Sequence, residues 1–152
     1  MSRPLRAAAA ALGCLAAVYA LVRVDLNLRA RAAYQEGEKY LLWAQNPALK
    51  KSYYDGVLAR QEDALQKQYR AGTIGADELK QKMALAQIRR DQAVSESSLK
   101  YAYVWFETGA ELFSPPENHW TRLCREEMPK AKALWEKQLQ AEKIPYKDYM
   151  LE

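Results

Sequence analysis

Residues 72–79 read Gly72-Thr73-Ile74-Gly75-Ala76-Asp77-Glu78-Leu79, and this stretch decides the fold. On its N-terminal side Tyr54, Leu58, Leu65 and Tyr69 recur at spacings of four and seven, the period of one helix face. Arg60, Glu62, Asp63 and Lys67 fill much of the remaining surface. Gly72 stands where helices commonly end on a left-handed residue, a conformation open to glycine without a Cβ clash. Asp77 and Glu78 then favour the first turn of a second helix through its dipole. Two long helices joined by so short a link are antiparallel neighbours. Residues 48–113, turning at 72–75, are therefore predicted as an antiparallel αα-hairpin.

Working outward to the C-terminus, the second arm is predicted to run over 76–113. Leu85, Ile88, Leu99, Ala102, Phe106 and Phe113 follow a three-four alternation, interrupted by the polar Gln92 and Ser95. The segment Tyr101-Ala102-Tyr103-Val104-Trp105-Phe106 is apolar on every side, which predicts the centre of the core. Ser114-Pro115-Pro116-Glu117 reads as a helix start, with Ser114 as cap, Pro115 at the first helical position and Glu117 completing a capping box. Trp120, Leu123, Cys124 and Met128 make the following apolar stripe. It is kinked or restarted at Pro129 and resumes at Ala131, Leu134, Trp135 and Leu139. These are C-terminal helices over 115–143, closed by Ile144-Pro145. The tail 146–152 carries Tyr146, Tyr149, Met150 and Leu151, apolar enough to pack back or to dock on a partner.

Outward to the N-terminus, 28–45 is a helix stopped at Asn46-Pro47, so the helical domain covers 28–145. The preceding segment, 1–27, differs in kind. Arg3 and Arg6 come before sixteen uncharged residues, 7–22, eight of them Ala, and Arg23, Arg29 and Arg31 follow against a single Asp25. The formal net charge of +4 therefore lies before residue 33, while the remaining 120 residues balance 18 Lys and Arg against 18 Asp and Glu. A pI near 9 raises nucleic-acid binding. The surplus belongs to the N-terminal segment and no DNA- or RNA-binding motif is present, so no nucleic-acid partner is expected.

Residues 7–24 are just long enough to cross a hydrocarbon core of ~30 Å at ~1.5 Å per residue. The leading reading is a signal-anchor that makes the membrane a partner. The alternative is a signal peptide cleaved near Ala20, for which Val18-Tyr19-Ala20 supplies the small residues a peptidase reads. A mitochondrial presequence ranks behind both, because 7–22 has no polar face, and Cys14 makes a poor lipoprotein site with apolar residues continuing to Val22. The short basic tail places the domain on the extracytoplasmic side of a single-pass protein, or in the periplasm or medium if the segment is cleaved. The fold class is all-α: an N-terminal apolar helix, transmembrane or signal, followed by a helical domain built on the hairpin with C-terminal helices. Six glycines in 152 residues and no sustained alternation leave few places for strands.

Chemistry is sparse. His119 is the only histidine, and no H-E-x-x-H, C-x-x-C, phosphate-cradling glycine loop or G-x-S-x-G occurs. Cys14 and Cys124 lie in surroundings too different to suggest a disulfide. Glu107 and Glu111, four apart on one helix face, give with His119 a carboxylate-based metal protein or enzyme as a third reading. A di-iron bundle would also need Glu-x-x-His from two further helices, which the chain lacks. No catalytic, cofactor or metal residue is therefore assigned. The ten Tyr and four Trp exceed what a core of this size needs, and such residues concentrate at binding hot spots. Tyr53, Tyr54, Trp120, Tyr146 and Tyr149 are the candidate interaction surface; Tyr103, Trp105 and Trp135 are expected in the core. The expected function is a non-enzymatic scaffold, assembly factor or accessory subunit acting through protein contacts, including self-association through the hairpin. The runner-up is a soluble helical binding domain released by cleavage.

Overall fold

A computed structural model describes residues 3–147, with side chains from Ala10 onward. The chain is all-α: α1 Arg3–Gln45, α2 Pro47–Arg70, α3 Ala76–Ser95, α4 Ser98–Glu107, a π-helical turn Thr108–Leu112, and α5 His119–Ala141, with no strand among the described residues. It divides into two units. One contains the described residues of Met1–Leu41 and Leu99–Glu152; the other is Leu42–Ser98.

In the second unit α2 and α3 form the hairpin. Its turn is a Schellman motif: Gly72 N–H donates to the Tyr69 carbonyl at 2.9 Å and Thr73 N–H to the Gln68 carbonyl at 3.0 Å. Gly72 takes φ +70°, the left-handed value expected of it. Ile74 is buried and seals the tip, while Asp77 and Glu78 occupy the first turn of α3 as predicted. The buried Lys50 donates from Nζ to the Glu96 carbonyl, satisfying an acceptor just past the end of α3. Burial pushes the pKa of Lys50 down.

The second arm ends at Ser95 instead of running on to 113. Glu96 is extended, at φ −63° and ψ 144°, and a new helix starts at Ser98. Ser95, Ser97 and Ser98 cluster there, and Ser95 Oγ donates to the Gln92 carbonyl at 2.9 Å. Serine side chains that bond nearby backbone favour helix ends over interiors, which outweighs the apolar alternation on either side.

In the first unit α1, α4, the π-turn and α5 enclose one core: Ala102, Tyr103, Phe106, Ala110, Cys124, Ala131 and Trp135, with Tyr34, Tyr40, Leu99, Met128 and Leu139 packed around it. The aromatic stretch 101–106 does supply its centre, although Trp105 is half-buried and Val104 faces solvent. On α1, Ala30, Ala33 and Gly37 are buried and small. A Cβ on Gly37 would stand 2.5 Å from the Phe106 ring, so this glycine is required by the approach of α4.

Ser114-Pro115-Pro116-Glu117 does not start α5. A residue followed by proline is disfavoured in the α region, so Pro116 denies Pro115 the first helical position. The peptide bonds into Pro115 and Pro116 are both cis. The cap is Asn118, whose Oδ1 accepts from Trp120 N–H at 2.8 Å and Thr121 N–H at 3.1 Å. The Asn118 N–H in turn donates to Thr121 Oγ1 at 2.9 Å. That reciprocal pair is a capping box built from Asn and Thr. Beyond it α5 runs unbroken through Pro129 to Ala141. Its buried stripe is Thr121, Cys124, Ala131 and Trp135, and Leu134 is left exposed.

The N-terminal apolar segment and the predicted helix 28–45 are a single helix. α1 contains one stretch long and apolar enough to cross a membrane or to serve as a signal sequence, with mean hydropathy 1.6 and none of it buried.

Candidate interaction surfaces

The predicted surface residues fall into separate places. In the second unit, Trp43 at the end of α1 is buried beneath Tyr53 and Tyr54, with ring centroids 5.1 and 5.8 Å away. Tyr53 and Tyr54 meet edge to face at 5.3 Å. Tyr54 is half-buried and Tyr53 keeps half of its surface exposed. This cluster closes the α1–α2 corner and presents one tyrosine outward.

The hairpin seam is thinly filled. Ala86 is the α3 residue fully buried on it, and an open trough of about 390 Å³ runs between Gln61, Leu65 and Gln68 of α2 and Lys82, Leu85 and Arg89 of α3. A continuation of about 170 Å³ passes Tyr54, Val57 and Leu58. Leu85 is 45% and Ile88 56% exposed, three apart on α3 and therefore neighbours on its surface. Below the trough Asp55 bridges Lys51 at 2.7 Å and Arg90, whose Nε donates to Oδ1 at 2.8 Å. These hydrogen bonds hold the Asp55 carboxyl below the usual carboxylate range. Two helices alone leave each other half-covered, and this pair leaves aliphatic side chains in water.

In the first unit Trp120 is half-buried between Tyr34, at 5.7 Å, and the Arg31 guanidinium, 5.6 Å from the ring centroid. Tyr146 packs on the core and accepts a hydrogen bond from Gln140 Nε2 at 3.0 Å, so the tail folds back at least this far. Tyr149 lies outside the described residues. Cys124 is fully buried, and desolvation raises its thiol pKa to about 11. Beside the exit of the apolar stretch, Arg23, Val24, Asn27 and Leu28 of α1 face Pro116 and Asn118 across an open cleft of about 270 Å³.

Glu107, Glu111 and His119 do not converge. Glu107 accepts from the Tyr103 hydroxyl at 2.6 Å, and the exposed His119 stands edge-on to Trp120 at 5.1 Å. Among the described residues no three His, Cys, Asp or Glu side chains are grouped as metal ligands.

Sequence reasoning missed three features. The exposure of Leu85 and Ile88 had no signature, because their three-four spacing marks one face of α3 without fixing whether that face is covered. Asn118-x-x-Thr121 was a legible capping pair, masked by the stronger proline signal. Leu112, 73% exposed at the end of the π-turn, had no periodic signature at all. Fold and surfaces together define a class: an apolar helix of membrane-spanning length leading without interruption into an all-α domain. Comparison with family models, curated proteins and solved structures finds no match.

Proposed function

We propose that this is a non-enzymatic, single-pass membrane protein whose helical domain, on the extracytoplasmic side, works as a scaffold, assembly factor or accessory subunit through protein contacts. The observation that carries the reading is the continuity of α1. The turns that follow the apolar stretch supply Ala30, Ala33 and Gly37 to the core of the first unit, so anchor and domain share one helix with no flexible tether. A domain held stiffly at a membrane is suited to positioning other proteins. The exposed Leu85 and Ile88 beside the trough supply a surface that a further helix, from a partner or a second copy, would cover.

The test combines intact-mass measurement of the expressed protein, carbonate extraction of membranes and a topology reporter fused after Glu152. A chain retaining Met1, resistant to carbonate and reporting an extracytoplasmic C-terminus supports the proposal. A chain starting just after Ala20 and found in the soluble fraction replaces it with the secreted or periplasmic binding domain.

A further inference from the structure

Resting on the membrane-anchor reading, we propose that the loop of residues 112–116 is a second membrane contact, seated in the phospholipid headgroup layer beside the exit of α1. The packing of the first unit sets its level. Phe106 lies against Gly37, Gly109 faces Ala33, and Pro116 and Asn118 lie across from Val24, Asn27 and Leu28. From Phe106 to Pro116 the chain therefore descends along α1 toward the apolar stretch and turns back into α5 beside its end. Val24 to Leu28 spans only ~6 Å of helix axis at ~1.5 Å per residue. The headgroup region on each side of a bilayer is roughly 5–7 Å thick, half the difference between its total and hydrocarbon thickness. With residues 7–24 in the hydrocarbon, the turn falls inside that layer.

The chemistry of the turn suits that position. Leu112 is 73% exposed, and Leu28 on the facing helix is also more than half exposed, so apolar surface continues beyond the 7–24 span. Pro115 and Pro116 carry no N–H, which leaves fewer backbone donors to strip of water at the interface. The charge is complementary to phosphate. Over 23–31 and 111–125 five arginines face three carboxylates, and Asp25 and Glu117 are already paired with Arg29 and Arg125, at 2.7 and 2.8 Å. Arg23, Arg31 and Arg122 then remain against Glu111, a net excess of two positive charges, and Arg31 rests on Trp120, a side chain enriched at membrane interfaces.

The test places single nitroxide labels at Leu15→Cys, Leu112→Cys and Lys137→Cys, the last exposed on α5 of the same unit, in full-length protein carrying Cys14→Ala, with the buried Cys124 left in place. The protein is reconstituted in vesicles of phosphatidylcholine and phosphatidylglycerol, and collisions with oxygen and with a water-soluble nickel chelate are measured. The expected result is a deep label at 15, a fully aqueous one at 137, and at 112 an oxygen-to-nickel ratio several-fold above that at 137. A label at 112 as aqueous as that at 137, with 15 still deep, overturns the loop contact and leaves the anchor standing. An aqueous label at 15 removes the anchor, and the loop contact falls with it.

Discussion

The Gly109 backbone and the Cys124 side chain are in direct contact: a Cβ at residue 109 would overlap Cys124 Sγ and stand 3.1 Å from Cys124 Cβ. Ala33 Cβ closes the same point from α1 at 3.3 Å, so the π-turn, α5 and α1 meet where only glycine fits. Gly109→Ala must push one of these helices away. Overpacking of this kind costs about 1–3 kcal/mol, and the urea midpoint of Gly109→Ala is expected to fall accordingly. The double variant Gly109→Ala/Cys124→Ala should recover part of the loss, because the new methyl then occupies space the sulfur vacates. Equal midpoints for Gly109→Ala and the parent chain would contradict the contact.

The same burial makes Cys124 inert. Its thiol pKa, raised by desolvation from 9.0 to about 11, leaves almost no thiolate near neutrality. In folded Cys14→Ala protein, modification by an aromatic disulfide reagent at pH 8 is expected to wait for unfolding, and prompt labelling would contradict this. The linked stability follows from the sign. The unfolded chain loses the thiol proton first, so the contribution is complete below pH 9 and is lost as pH climbs from 9 toward about 11. The loss is about 1.4 kcal/mol for each pH unit in that window. Cys124→Ala should lack this component of the alkaline decline.

Lys143 holds a left-handed backbone, φ 55°, at the end of α5. Its N–H donates to the Gln140 carbonyl at 3.2 Å, and Ile144 N–H donates to that of Leu139 at 2.9 Å, the same Schellman pattern found at Gly72. A lysine there carries a Cβ clash that glycine avoids. Lys143→Gly is expected to raise stability by about 0.5–1 kcal/mol, read as a higher denaturation midpoint with unchanged helix content. A lower midpoint would mean that the lysine side chain contributes more than its backbone strain removes.

Legibility followed how local each cause was. Gly72 and Asp77-Glu78 act within a turn or two, and the hairpin, its connection and its cap are where their chemistry puts them. The boundary at Ser95 was harder, because apolar periodicity continues through Leu99 and only the competing serine hydrogen bonds stop the helix. At Ser114-Pro115-Pro116 two rules conflicted, the preference for proline at a helix start and the restriction on the residue before proline, and the second prevailed. The continuity of α1 between an apolar segment and a mixed one is set by the absence of proline between Arg23 and Asn46, and Gly37, the one glycine there, costs only about 1 kcal/mol relative to Ala. The interaction surface was the least legible part. Exposure of Leu85 and Ile88 depends on what packs against α3, and periodicity reports a face without saying what covers it.

Leu85 and Ile88 give the sharpest test of the proposed function. Both lie on α3 of the hairpin, and nothing among the described residues buries them. Replacing exposed side chains changes folding stability by roughly 0.5 kcal/mol or less each, whereas truncating the centre of an interface costs more than about 1 kcal/mol per residue. Leu85→Glu/Ile88→Glu should therefore keep the helical signal and thermal midpoint of the parent chain. If a second copy covers this face, sedimentation equilibrium in detergent should show the dissociation constant rising at least about 30-fold, the equivalent of two such losses at about 1.4 kcal/mol per tenfold. If a different protein covers it, the variant stays as monodisperse as the parent chain but loses a partner that the parent retains through crosslinking in intact membranes. A variant unchanged in both measurements would leave this face without a partner, and the case for a protein-contact function would then rest on Tyr53 alone.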